Sequence, residues 1–487
     1  MPSEIDQSKG SKTESEKNNI FQRLRSAIGS ENVSTQEVDR VSYSRDYWPI
    51  TFRWLLEGKV FTMPDFVCWP ASTKEVSDIV KIANEEKVPI TPFGEGSGVL
   101  GGAIPIDGGI IIDLKRMNKI SEINDQNLTV TAQAGINLTI LETELDRKGY
   151  TMGHFPQSFY CSSLGGNLST RAAGELSTKY GKIDDIVISL EAVLPQGEII
   201  KSKTVPKSST GPAVERLLLG AEGTLGIITE ATLKIWPKPE KTVLKSYSFE
   251  NVQDGLDVVR NILRKGLFPA VIRLYDALET ERQFYQFSQA KNRCMLILVM
   301  EGSEELVKAE EKTVETLCKD HAVDSGEEPA RHWLEIRFNV KEAADFAPKD
   351  VIFDTIEVSV TWDKSMNLYN SMISAMKKVN GVFYVSAHAS HFYPQGVCFY
   401  FTFAGVPVKA KPEEFYGKVW DAAMKATIDA GGSISHHHGI GIMRGKWLGI
   451  ELGESMETLK KIKHALDPEN IMNPGKMGLQ LGENKKE

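Results

Sequence analysis

Five glycines fall within nine residues at Gly94-Glu-Gly-Ser-Gly-Val-Leu-Gly-Gly102, directly after the strand-like run Val88-Pro-Ile-Thr-Pro-Phe93. No other stretch of this chain restricts its fold so tightly. Glycine lets the main chain turn sharply and approach another group closely. A strand that empties into such a loop leaves backbone N–H groups free to face an anion, and a pyrophosphate suits it. The spacing Gly-x-Gly-x-Gly is not the dinucleotide fingerprint, and no Gly-Lys-Ser/Thr follows to make a Walker loop. A glycine-rich turn with no ligand would have the same composition, so two later segments bear on the choice.

The second is Pro156-Gln-Ser-Phe-Tyr-Cys-Ser-Ser-Leu-Gly-Gly-Asn-Leu-Ser-Thr-Arg-Ala-Ala-Gly174. Its hydroxyls can serve phosphates and the polar edge of a ring. The third is Gly220-Ala-Glu-Gly-Thr-Leu-Gly226, just ahead of a strand. Each is weak alone; in this order they reinforce one another.

The surrounding pattern is α+β. Residues 1–19 are polar and read as a disordered tail. A short amphipathic helix covers 20–28. Residues 42–60 are dense in aromatics (Tyr43, Tyr47, Trp48, Phe52, Trp54), which either pack under a later domain or form an exposed apolar patch. Ser72-Thr-Lys-Glu75 is a capping box opening a helix through residue 85. Strands fall at 66–70, 88–93, 109–113, 128–132, 186–194 and 226–236, with a helix at 138–148. Pro237 and Pro239 then mark a boundary near residue 240. Beyond it, strands at 245–249, 270–274, 295–301, 354–360 and 397–403 alternate with helices at 252–265, 304–319 and 364–379, as two ferredoxin-like halves would. Helices at 415–430 and 455–466 complete the chain. The resulting division is 1–19, 20–61, 62–240, 241–478 and a polar tail at 479–487.

Between the last two helices stands Gly431-Gly-Ser-Ile-Ser-His-His-His-Gly-Ile-Gly441. One third of the nine histidines sit together there, and imidazole titrates nearest neutrality. A polar loop with adjacent histidines is the alternative, since neighbouring side chains diverge. A net charge of −8 gives no electrostatic support for nucleic acid. Five scattered cysteines lack metal-ligand spacing and fit a reducing, cytoplasmic setting. No apolar run is long enough to span a bilayer.

The three glycine segments, with Asp467-Pro-Glu-Asn-Ile-Met-Asn-Pro-Gly-Lys476, resemble the vanillyl-alcohol-oxidase (PCMH-type) flavoproteins over roughly residues 60–478. The resemblance implies a two-subdomain FAD-binding domain at 62–240 and a substrate-holding cap at 241–478, ending in a segment that contacts FAD. It assigns FAD contacts to Pro92, Phe93, Gly94, Glu95, Gly96, Ser97 and Gly98. It adds Gln157, Ser158, Phe159, Tyr160, Cys161, Ser162, Ser163, Thr170, Arg171, Ala172 and Ala173. The third set is Gly220, Ala221, Glu222, Gly223, Thr224, Leu225 and Gly226. The loop at 94–102 has neither histidine nor cysteine, so non-covalent FAD is implied.

Two branches of that family compete. D-lactate and glycolate dehydrogenases carry Gly-Glu-His-Gly-Ile-Gly where this chain has His436-His-His-Gly-Ile-Gly441. The His-His-His-Gly form resembles the alkyldihydroxyacetonephosphate synthase branch. So do Gly396-Val-Cys-Phe-Tyr-Phe-Thr-Phe403 and Pro269-Ala-Val-Ile-Arg-Leu-Tyr-Asp276. That branch exchanges the acyl group of acyl-dihydroxyacetone phosphate for a fatty alcohol in ether-lipid synthesis, with no net redox change. It implies catalytic roles for Tyr400, His436, His437 and His438, and anion binding by Arg273 and, on a looser match, Arg337. His388 and His391 form His-x-x-His ahead of a strand; the dehydrogenase branch would instead pair His388 with His438 at a metal, the synthase branch needs none, and no metal is expected. Taken alone, Tyr400 fits a core strand position and Arg273 an ion pair. Partners implied are a small lipid substrate and a second copy of the chain, with peripheral membrane contact left open.

Overall fold

The computed structural model describes residues 12–340 and 342–479. Helix Glu14–Ile28 opens it. Thr13 Oγ1 accepts from Glu16 N–H, while the Glu16 carboxylate accepts from Thr13 N–H. This helix corrects the expected tail at 1–19: Thr13-x-x-Glu16 is a capping box, and it starts the helix at Glu14 rather than residue 20. Residues 1–11 and the tail from residue 480 lie outside the described residues.

Two sheets share the N-terminal core. In the first, Phe66–Cys68, Ile110–Asp113 and Ile90–Phe93 run parallel, with Val33–Ser34 at the edge. Every residue of Ile110–Asp113 is buried, as a central parallel strand requires. The second sheet is antiparallel: Ile120–Asn124, Thr129–Gln133, Ile227–Lys234, Val187–Val193 and Ile199–Lys201 in spatial order. Ser77 Oγ, on helix Thr73–Glu86, donates to Gly197 O at 2.6 Å and ties that helix to the second sheet's turn.

The cap is a seven-stranded antiparallel sheet ordered Val323–Gly326, Lys241–Phe249, Cys294–Gly302, Val271–Tyr275, Val382–Tyr393, Gly396–Gly405, Ile352–Thr361. Its halves meet where Leu274 faces Ala389 and Tyr275 faces His388. Side chains alternate between the faces of a strand. Ile272, Leu274, Ala387, Ala389, Phe399, Phe401, Ile356 and Val358 join one apolar core with the cap helices. Arg273, His388, Tyr400 and Glu357 therefore share the other face. Register sets them side by side: Glu357 faces Tyr400, Tyr400 faces His388, and His388 faces Tyr275.

The sequence reading places His388 and His391 ahead of a strand; both lie inside one, Val382–Tyr393. A bulge between Ser390 and Phe392 interrupts the ladder, and His391 has φ +52° there. The aromatic segment packs beneath the cap. Trp48 is 1% exposed and its Nε1 donates to Tyr416 Oη at 3.0 Å, while Trp54 Nε1 donates to Glu413. Among the described residues no helix is long and apolar enough to cross a membrane.

Candidate active site

A cavity of about 460 Å³ opens between the N-terminal sheets and the polar face of the cap. Residues 92–98 form one wall, Gln157, Ser158, Cys161, Ser162, Ser163, Thr170, Ala172 and Ala173 a second, and Glu222, Gly223 and Gly226 a third. The first two walls touch only because residue 94 is glycine: a Cβ there would lie 2.2 Å from Ser163 Oγ. Ser162 Oγ is buried without a hydrogen-bond partner among the described residues. A narrow glycine cradle with an unused buried hydroxyl fits a polar, flat cofactor.

Several residues named with these do not line the cavity. Phe159 stacks on Phe338 at 5.4 Å, Tyr160 is exposed, and Arg171 pairs with Asp184 at 2.7 Å. Gly220, Ala221, Thr224 and Leu225 shape the third turn from behind, where Thr224 O accepts from buried Lys463 Nζ at 2.8 Å. Glu222 reaches the cavity wall, but its carboxylate also accepts from Ile440 N–H at 2.6 Å and Gly441 N–H at 2.8 Å. It thus fastens the histidine loop to the N-terminal domain. The segment at 467–476 adds no residue to the cavity. It braces the loops instead: Asn473 Nδ2 donates to Glu222 O at 2.6 Å and Gly102 O at 3.0 Å.

The histidine loop is wrapped around Glu357. This carboxylate accepts from the backbone N–H of His436 at 2.7 Å, His437 at 3.3 Å and His438 at 2.6 Å. Arg444 Nη1 pairs with it at 2.8 Å, and both side chains are fully buried. Burial pushes the Glu357 carboxyl up, but Arg444, His438 and the N–H groups outweigh it and hold it at about 2. The loop's glycines are required by close approach: a Cβ on Gly439, φ +84°, would meet Glu222 Oε1 at 2.7 Å.

His437 and His438 face the cavity; His436 does not, and its Nε2 bonds Tyr393 Oη at 2.7 Å. Burial lowers His436 and His437 well below 6.5 and takes His438 to about 4, so all three imidazoles are neutral bases at physiological pH. Tyr400 lines the same cavity, its Oη accepting from Thr355 Oγ1 at 3.0 Å. Burial raises its phenol, so it stays protonated and can donate. His388 stacks on Tyr400 with ring centres 4.9 Å apart, and His438 meets it edge-on at 5.3 Å.

Arg273 and Arg337 also line the cavity. Both reach Glu175, at 3.3 Å and 3.5 Å. Arg273 Nη2 lies 2.5 Å from His388 Nε2, which occupies the nitrogen expected for a metal paired with His438. Among the described residues, the ligand atoms that do converge belong to His391, His436 and His437, within 4.8 Å of one another.

Glu357 and Glu175 are absent from the sequence reading. Glu357 had a signal: it is the charged residue in the alternation Ile356-Glu-Val-Ser-Val360, opposite Tyr400. Glu175 follows Gly174 with none.

A glycine-walled cradle beneath a sheet face carrying neutral histidines, a tyrosine and two arginines is the arrangement of a flavin-dependent enzyme. The chain belongs to the FAD-linked oxidases: residues 64–203 match the FAD binding domain and residues 238–477 the C-terminal domain of that family. FAD is its cofactor. An alkyldihydroxyacetonephosphate synthase of Caenorhabditis elegans is 33% identical, covering 86% of this chain and 76% of its own. The glycolate oxidase subunit GlcD of Bacillus subtilis is 31% identical over 94% of this chain and 96% of its own. A solved alkyldihydroxyacetonephosphate synthase superposes with a TM-score of 0.80 at 27% identity, covering 94% of this chain and 85% of that one.

Proposed function

We propose that this flavoprotein exchanges the acyl group of an acyl-dihydroxyacetone phosphate for a fatty alcohol. One observation carries the reading: a single cavity holds His437, His438 and Tyr400 together with Arg273, Arg337 and an apolar wall of Trp333, Ile336, Val340 and Phe353. The substrate has the matching parts, an anionic phosphate, an acidic carbon-bound proton and long alkyl chains. The arginines suit the phosphate, because guanidinium forks match its oxygens. Neutral His437 and His438 are placed to take a proton, and protonated Tyr400 to give one to an oxygen. Among the described residues His438 Nδ1 is buried without a hydrogen bond, 3.8 Å from Glu357 Oε1, so a proton gained there would be stabilised. The bound flavin supplies an electron-accepting ring; the proton movements fall to the chain.

A second reading is oxidation of a D-2-hydroxy acid, favoured by the likeness to the glycolate oxidase subunit along nearly the whole chain. The arginines would then hold a carboxylate. One comparison separates the two. Formation of alkyl product from acyl-dihydroxyacetone phosphate and hexadecanol, with no electron acceptor added, supports the transferase. Rapid anaerobic bleaching of the flavin by D-lactate or glycolate, without that product, overturns it in favour of the oxidoreductase.

A further inference from the structure

We propose that Glu175 holds, in the free enzyme, the seat between Arg273 and Arg337 that the substrate's anionic group takes on binding, and that it picks up a proton as it yields. This rests on reading the cavity as a site for an anionic substrate.

Glu175 belongs to the N-terminal domain, where its N–H donates to Phe155 O at 2.9 Å. Its side chain crosses to the cap and lies 4% exposed on the cavity wall. The contacts there are loose. Oε1 is 3.3 Å from Arg273 Nη1 and Oε2 is 3.5 Å from Arg337 Nη1, against about 2.7–2.9 Å for a tight guanidinium–carboxylate pair. Oε2, Arg273 Nε and Arg337 Nε are all buried without a hydrogen bond among the described residues. A purely structural ion pair would satisfy these atoms, since leaving them bare is costly.

The two guanidinium heads are held independently of Glu175. Arg273 lies over the rings of Tyr275 and Trp333, with Nη2 on His388. Arg337 lies over Phe338 at 4.5 Å and over Phe155. Both can therefore stay in place when the carboxylate leaves.

The charges acting on Glu175 are those of Arg273 and Arg337. Behind Arg273 stand neutral His388 and ionised Glu279; Glu279 accepts from Arg282 at 2.6 Å. Tyr275, Tyr400 and His391 are uncharged neighbours. Two guanidiniums facing one ionised Glu175 leave a single positive charge. An incoming anion beside the Glu175 carboxylate would meet like charge, with only that single positive charge to draw it in. A proton taken from solvent by Glu175 removes that repulsion and gives the anion both arginines. Burial raises the Glu175 carboxyl to about 7 even against them, so the proton is at hand near neutrality.

The test is calorimetric titration of the FAD-loaded, full-length enzyme at pH about 8, in buffers of different ionisation heat. Dihydroxyacetone phosphate is the phosphate probe and glycolate the carboxylate probe. At that pH a phosphate monoester, with its second pKa of about 6, is already ionised. Expected is uptake of close to one proton per anion bound, with Kd rising roughly tenfold per pH unit above about 7. Glu175→Gln should bind the same anion with no uptake and a Kd flat in pH. Which probe binds identifies the source of the anionic group. Zero uptake by the wild type, the same pH slope in Glu175→Gln, or no binding of either probe overturns the proposal. The wild-type proton count stands even if the variant does not fold. Turnover of acyl-dihydroxyacetone phosphate with hexadecanol, scored on the same preparation, tests the transferase reading separately.

Discussion

Glu357→Gln keeps the shape of the residue at the centre of the histidine loop and removes its charge. Arg444, fully buried, then loses its partner at 2.8 Å. Three backbone N–H groups exchange a charged acceptor for a neutral one. Removing one member of a buried ion pair costs about 3–5 kcal/mol. The depressed carboxyl gives an independent figure: about 2 in the fold against an ordinary 4.5 corresponds to on the order of 3 kcal/mol. At roughly 2–4 °C per kcal/mol for a domain of this size, the melting temperature should fall by about 6–20 °C. The assay is thermal melting followed by circular dichroism and by flavin fluorescence, with turnover measured alongside. The sign of the pH effect is fixed. A carboxyl lowered on folding stabilises above its unfolded value and loses that contribution as pH falls through its folded one. The gap between wild type and variant should thus be constant near neutrality and shrink between about pH 4.5 and 2. Adding Arg444→Met removes the stranded charge and should recover part of the loss. A Glu357→Gln enzyme melting within about 2 °C of wild type and turning over normally would refute the reasoning.

Three further outcomes follow from the same geometry. Tyr400→Phe should abolish turnover while flavin content, read from the ratio of visible to ultraviolet absorbance, stays unchanged; normal turnover would remove Tyr400 from the chemistry. Gly94→Ala places a Cβ 2.2 Å from Ser163 Oγ and should release FAD on gel filtration, with the polypeptide still folded. Because burial holds His437 well below 6.5 and His438 at about 4, the acid limb of kcat should lie below about pH 5. A limb near 6.5 in the pH–rate profile would show that the working base is a solvated histidine instead.

Legibility in the sequence followed the range of the forces involved. Helix Thr73–Glu86 was readable because Ser72 caps it locally, and the boundary near residue 240 because prolines mark it. The N-terminal helix was cut short because its polar first turn hid a capping box. Strand Val382–Tyr393 was missed for a different reason. Its core face runs from Val385 to small alanines at 387 and 389, its site face carries Ser386, His388 and Ser390, and the bulge at His391 breaks the period of two. Among site residues, the glycine turns and the triplet stand out by composition. Glu175, Glu222 and Glu357 do not. Each acts on groups brought from far along the chain, arginines in one case and backbone N–H groups in the other two. No local pattern announces such a partner. For the same reason the assignment of Glu222 to the cofactor missed its second task, holding Ile440 and Gly441.

Glu357 grips residues 436–438 by their main chain and leaves the imidazoles of His436 and His437 out of the grip. The curve of the loop is therefore indifferent to which side chains it displays. Exchanging His436 or His437 for another residue alters the tool without disturbing its holder. A scaffold of this kind can change reactions by point substitution while its backbone trace stays the same, so superposition of main chains will group enzymes that do different chemistry. The identity of the displayed side chains, and the anion seat opposite them, are where such enzymes must be told apart.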